Sequence, residues 1–119
     1  MIWIQAGAIV MALGVILGAF GAHGLRDKLS PPMMEIYKTA VMYHLIHGLG
    51  VVVVGVLSQS PGGQKYAVSA IFLLAGIVIF SGSLYILSIS GARWLGAITP
   101  LGGLCFIAGW IFLFLKSLK

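Results

Sequence analysis

Four stretches without a charged residue, 1–25, 39–64, 66–92 and 94–115, decide what this chain can become. Each holds the ~20 apolar residues that cross ~30 Å of hydrocarbon as a helix. Composition agrees: 61% of the 119 residues are hydrophobic and 8% are charged, where a soluble domain carries roughly 25% charged residues. The charges are gathered between the runs. Arg26, Asp27, Lys28, Glu35 and Lys38 share one loop region, Lys65 and Arg93 stand singly, and Lys116 and Lys119 close the chain. The expected fold is an all-α membrane protein: one domain over 1–119, folded as a compact four-transmembrane-helix bundle.

The net charge of +5 does not point to nucleic acid. Its cations are single residues at span ends and read as interfacial anchors, not as a basic patch. Cys105 is the only cysteine and lies mid-span, so neither a disulfide framework nor a redox motif is expected. Met1-Ile2-Trp3-Ile4 lacks the basic start of a signal peptide, so the first run is read as a mature helix.

Turn residues set the expected boundaries at about 2–25, 32–57, 65–90 and 94–116. Ser30-Pro31-Pro32 opens the second helix, with Ser30 as N-cap and proline tolerated in the first turn. Met33–Lys38 is placed in the interface, with the span beginning near Thr39. Ser58–Gly63 makes a turn and SGAR breaks the third helix from the fourth. Pro100 either kinks the fourth helix or opens its main part with Thr99 as N-cap. Trp3 and Tyr66 mark one membrane face, Tyr37 and Trp94 the other. An even number of spans puts both termini on one side. The Lys/Arg difference between the two faces is too small to orient the bundle.

Small residues recur on single faces. Gly7, Gly14, Gly18 and Gly21 fall within a ~60° arc of the first helix at ~100° per residue. The third helix repeats this with Ser69, Gly76, Ser83 and Ser90, the second has Gly48 and Gly55, and the fourth Gly102 and Gly109. In lipid such Gly/Ser seams let helix backbones approach, packing taking the place of the hydrophobic drive. A glycine-lined pore is the competing reading. The two halves also show a faint similarity, HGLGVVVVG against PLGGLCFIAG, too weak to establish a duplication.

Polar side chains gather in the half of the membrane nearest loops 1 and 3. Counted inward from that face, His23 lies ~5 Å deep, His44 ~9 Å, His47 ~14 Å, Tyr85 ~12 Å, Ser83 ~15 Å and Thr99 ~9 Å. The other half offers Gln5, Ser69 and Cys105. His44 shares a face with Tyr37, Val41, Gly48 and Gly55, and His47 points ~60° aside. Intramembrane ionisable groups usually face the bundle interior with a partner. The expected polar pocket therefore comprises His23, His44, His47, Ser81, Ser83, Tyr85 and Thr99, with the Gly96 carbonyl as a further partner.

Three roles compete for these residues. Neutral histidines hydrogen-bond across helices for ~0.6–2 kcal/mol each; a pocket holds a small ligand, a lipid headgroup or a proton; or a metal or haem is bound. His23, His44 and His47 could supply three ligands for zinc. No Asp, Glu or Cys is placed to complete that site, and H-x-x-H lacks the spacing and glutamate of H-E-x-x-H. No metal site and no cofactor are expected. No carboxylate lies in a span and no serine or cysteine has a recognisable base, so catalysis is not expected either.

L17-G-A-F-G-A-H-G-L25, T39-A-V-M-Y-H-L-I-H47, F80-S-G-S-L-Y85, T99-P-L-G-G103 and F106-I-A-G-W110 resemble the domain-of-unknown-function 423 family. Those are small four-span proteins of bacterial inner membranes, with a mitochondrial relative, and the likeness runs through the chain in order. The resemblance implies roles by position. His23 matches the A-H after G-A-F-G, and His47 the last residue of Y-[HQ]-x-x-H. His44 falls where relatives often carry glutamine. Ser81, Ser83, Tyr85, Thr99 and Pro100 match the remaining segments. On that basis His47 is the more telling histidine, with His23 and Tyr85 as its company. Architecture and positions are implied, not an activity.

The expected function is therefore a non-enzymatic binding, stabilising or accessory component of a bacterial plasma (inner) membrane. Its partners would be the lipid bilayer and a larger membrane complex or a second copy. The alternatives are a transporter or channel with a one-sided polar vestibule, and a metal- or haem-binding protein. Gly14, Gly18, Gly21, Gly48, Gly76, Gly102 and Gly109 are assigned to helix packing.

Overall fold

A computed structural model describes residues 1–118. Four helices long and apolar enough to cross a membrane account for nearly all of them: α1 (Ile2–His23), α2 (Pro31–Leu57), α3 (Gly63–Ser90) and α4 (Arg93–Ser117). There is no strand among the described residues. The Cα extents of 50 × 26 × 16 Å put the long axis along the helices and flatten the bundle across them.

Local chemistry explains most helix ends. Ser30 is extended and its Oγ accepts from the Met33 amide, while Pro31 and Pro32 occupy positions whose amides need no helical partner. Gly62 and Gly91 adopt φ of +75° and +74°, which glycine reaches without strain, and they begin α3 and end α3 respectively. Pro100 opens the main part of α4, after a 3₁₀ stretch at Arg93–Ala97. Of the two expected readings the helix start is the one found, but Thr99 does not cap it. Its hydroxyl turns back to the Leu95 carbonyl at 3.1 Å and to Ser83, leaving no acceptor aimed at the helix start.

One element had no sequence signal. Ile77–Ser81 in the middle of α3 forms a π turn, the kind of insertion that redirects the residues after it.

The order of packing follows the chain. α1 lies against α2, α2 against α3, and α3 against α4. Of the most apolar stretch of each helix, 44% of α2 and 39% of α3 is buried, against 11% of α1 and 17% of α4. So α2 and α3 are the inner pair and α1 and α4 flank them, with Ile9, Leu13 and Ile16 or Leu104, Ile107 and Phe114 turned outward. In a bilayer these faces meet lipid. The core is Val51, Val54, Ala70, Leu73, Ile77 and Phe106.

Candidate functional site

The close seam of α1 with α2 places the polar groups. Gly7, Gly14 and Gly21 are the buried residues of α1, one heptad apart. A Cβ on Gly7 would lie 2.8 Å from the Val52 amide nitrogen, and one on Gly55 2.7 Å from that of Ile4. Here the two backbones touch. Gly48 meets Val10 and Met11 of α1, Gly14 meets His44 and Leu45, and Gly21 meets the Tyr37 ring.

Those last two contacts share one geometry. In an α-helix the carbonyl four residues earlier lies beside the amide of the residue in question, and a glycine leaves it uncovered. Tyr37 sits over Gly21 and its hydroxyl donates to the Leu17 carbonyl at 2.5 Å. His44, seven residues on, sits over Gly14 with Nε2 2.8 Å from the Val10 carbonyl. A carbonyl only accepts, so in the neutral ring Nε2 carries the proton. Nδ1 is then the acceptor, and the Tyr85 hydroxyl donates to it at 2.9 Å. His44 thereby ties α1, α2 and α3 together. Tyr85 also meets Tyr37 edge-on, with ring centroids 5.3 Å apart.

The remaining expected polar residues form two further ties. Ser81 donates to the Ala40 carbonyl of α2 at 2.8 Å. Ser83 and Thr99 pair at 2.6 Å between α3 and α4, and each hydroxyl also has a carbonyl of its own helix in reach, Phe80 and Leu95.

His47 goes elsewhere. Three residues after His44, it turns toward α4, where its ring stacks on Phe106 with centroids 3.6 Å apart and lies 5.7 Å from Trp110. Its Nδ1 donates to the Tyr43 carbonyl at 2.8 Å, so His44 and His47 carry opposite tautomers. The expected company of His47 is thus corrected: Tyr85 is bonded to His44. His23 joins neither. It is the exposed last residue of α1, two residues and therefore ~200° around the helix from the seam residue Gly21. Tyr37, expected in an aromatic belt, is instead 1% exposed and part of the network. Tyr37, Phe106 and Trp110 are the site residues the sequence reading missed. Tyr37 carried a signal, being one heptad before His44 on the same face, and Phe106 and Trp110 bound the family-matched segment F106-I-A-G-W110.

The seam glycines face neighbours throughout: Gly76 meets Phe106, Gly102 the Phe80 amide within the π turn, and Gly109 Leu73. Gly18 differs, since a Cβ there would meet only Val41, at 3.3 Å. Beside it two adjoining cavities of about 210 and 270 Å³ open between α1 and α2 at the end nearest the first loop. Gly18, Ala22, Met34, Val41 and Met42 wall the first, and Arg26 and Lys38 stand at the second. Neither cavity is lined by His44, His47, Ser81, Ser83, Tyr85 or Thr99. Among the described residues no three His, Cys, Asp or Glu side chains come together in a way that would hold a metal ion.

Comparison with known proteins agrees with this architecture. The chain is 47% identical over 119 residues to a UPF0382 membrane protein of Staphylococcus haemolyticus, covering 99% of this chain and 96% of that one. It is equally identical to the UPF0382 membrane protein YwdK of Bacillus subtilis, with 99% and 97% covered. A UPF0382 membrane protein of Staphylococcus saprophyticus is 42% identical over 118 residues, with 99% and 98% covered. No solved structure matches the chain. Residues 17–103, which hold both cavities and every polar tie but one carbonyl of α1, match the family described as protein of unknown function DUF423, and the chain belongs to that family of multi-pass membrane proteins.

Proposed function

We propose that this chain is a non-enzymatic membrane component that binds or stabilises other molecules through its lipid-facing surface. It would work in the bacterial plasma membrane, with both termini on one side. The observation that carries the reading is the commitment of the buried polar groups other than Ser69 and Nε2 of His47. Both nitrogens of His44 and the hydroxyls of Tyr37, Ser81, Ser83, Tyr85 and Thr99 are bonded within the bundle. A catalyst needs a nucleophile, acid or base free to reach substrate, and a conducting path needs polar groups through both halves of the membrane. What the bundle leaves open is a lateral groove and two outer helices, surfaces suited to lipid, to a larger membrane protein or to a second copy.

A transporter with a one-sided vestibule is the second reading. The π turn at Ile77–Ser81 favours it, because interrupted helices near the midplane are where transporters form their sites. Reconstitution separates the two. The accessory reading expects ion and proton flux no greater than in empty liposomes, and a discrete assembly larger than one chain after mild detergent extraction. Flux abolished by His44→Ala, or a strictly solitary chain, would overturn it.

A further inference from the structure

We infer that the groove between α1 and α2 at the first-loop end seats one anionic phospholipid, its phosphate at Arg26 and Lys38 and one acyl chain along Gly18. The inference rests on the lipid-facing binding role proposed above and names its ligand.

The first support is Gly18 itself. At Gly7, Gly14 and Gly21 the absent side chain is explained by Val52, His44 with Leu45, and Tyr37, which fill the space. At Gly18 only Val41 comes close, 3.3 Å from a built Cβ, and the rest of the space opens to the cavity. Glycine weakens a helix relative to alanine, and here it both admits Val41 and leaves room beside that contact for another occupant. The second helix pair sharpens this. Gly14 and His44, each advanced by 62 residues, become Gly76 and Phe106, and Gly21 and Tyr37 become Ser83 and Thr99; both derived pairs are in contact. By the same step Gly18 and Val41 become Phe80 and Gly103. There the larger Phe80 ring faces Gly103, 3.9 Å from a built Cβ, where the first pair has Val41 against Gly18. The two cavities themselves are lined by residues of α1, α2 and the first loop.

The second support is the distribution of chemistry along the groove. Its walls at Gly18, Ala22, Met34, Val41 and Met42 are apolar. Arg26 and Lys38 lie at its loop end, where lipid phosphates lie. Gly18 is five residues inside the His23 end of α1, about 7.5 Å along the helix, on the acyl-chain side of Arg26. Glu35 is 3.8 Å from Lys38, but both side chains are well exposed, and such i,i+3 pairs hold weakly against a better anion. Asp27 and Lys28 follow Arg26 in the loop and offset one another. At about 210 and 270 Å³ the cavities fall below the ~300 Å³ at which pockets for whole small molecules begin. An open-sided groove of that size suits part of a chain already dissolved in the bilayer. Basic pockets between transmembrane helices are a known means of holding anionic headgroups.

Native mass spectrometry tests this with the full chain in non-ionic detergent. Phosphatidylglycerol and phosphatidylethanolamine with identical acyl chains serve as probes. The wild type is expected to retain phosphatidylglycerol at least about fivefold better, the factor expected of one interfacial cation. Arg26→Gln with Lys38→Gln should bring the two lipids level, while Lys65→Gln at the other end of the bundle should change nothing. Gly18→Leu, and separately Met42→Trp at a lipid-exposed position that spares the seam, should lower retention of both lipids together. Equal retention of the two lipids by the wild type overturns the proposal, as does full phosphatidylglycerol retention by both filled-groove variants. So does a Gly18→Leu chain that loses its assembly but keeps its lipid, since the groove would then receive a second copy. Any of these results leaves the accessory role standing, whereas histidine-dependent flux would end that role and leave the lipid seat intact.

Discussion

The pair α1–α2 and the pair α3–α4 are two uses of one seam. In both, a small residue on the earlier helix receives a ring or hydroxyl from the later one: Tyr37 at Gly21 and His44 at Gly14, then Thr99 at Ser83 and Phe106 at Gly76. What differs is the chemistry inserted. The first pair sends a phenol and an imidazole onto bare carbonyls of α1 and leaves a groove beside Gly18 and Val41. The second sends Phe106, on which His47 of α2 stacks, and sets the larger Phe80 ring against Gly103 at the corresponding place. Close approach of helices is therefore a scaffold common to both halves. The polar network and the groove are what the first half adds to it.

The scaffold breaks most readily at glycines that face backbone. A Cβ on Gly102 would collide with the Phe80 amide, which has no flexible end to move. Gly102→Ala is expected to cost about 3 kcal/mol through overpacking. Gly82 has nothing within 4 Å of a built Cβ, so Gly82→Ala should be neutral or stabilise by up to about 1 kcal/mol. Thermal unfolding in detergent compares them. Equal losses at Gly102 and Gly82 would break the account of the seam itself.

The two histidines give the next largest contrast. His44→Ala strips partners from Tyr85 and from the Val10 carbonyl and leaves a gap beside Gly14, a loss of about 2 kcal/mol. His44→Gln should lose about half as much, since an amide offers both a donor and an acceptor. His47→Phe keeps the stack on Phe106 and drops one bond to a carbonyl of its own helix, so a change within about 0.5 kcal/mol is expected. The reverse order in the same unfolding measurement would return His47 to the centre of the site.

That order is the part of the molecule the sequence could not give. Four spans and their small-residue faces were legible because uncharged runs and a seven-residue period depend only on the chain itself. The grouping of His44 with Tyr37 on one face was legible for the same reason. Which neighbouring helix each face meets was not. A rotation of ~60° between His44 and His47 decides between α1 with α3 on one side and α4 on the other. Depth counting put His47 and Tyr85 close together, but depth carries no information about azimuth. His23 was placed by depth too, and lies on the far side of α1 from the seam. The π turn at Ile77–Ser81 had no visible mark, since Ile-Val-Ile-Phe-Ser reads as ordinary apolar helix.

Smaller effects test whether the second pair hides polar function of its own. Ser83 and Thr99 share one bond between helices, so a double-mutant cycle of Ser83→Ala and Thr99→Val should return a coupling of about 0.6 kcal/mol, the usual worth of such a bond in lipid. A coupling near zero would mean that each hydroxyl is satisfied by its own carbonyl, Phe80 or Leu95, and that the tie is incidental.

Ser69 asks the same question at the smallest scale. It is the residue 62 places after Gly7, fully buried, and its Oγ has no hydrogen-bond partner in the bundle. A desolvated hydroxyl without a partner contributes nothing to set against its lost hydration, and exchanging it for a methyl group is close to neutral or favourable. Ser69→Ala is therefore expected to shift stability by no more than about 0.5 kcal/mol, upward if at all. The same unfolding measurement decides it. A loss above about 1 kcal/mol would mean that the hydroxyl meets a bound water or another polar group within the membrane. The half of the bundle read as an apolar scaffold would then carry a polar site, and the contrast between the two pairs would narrow to the groove at Gly18.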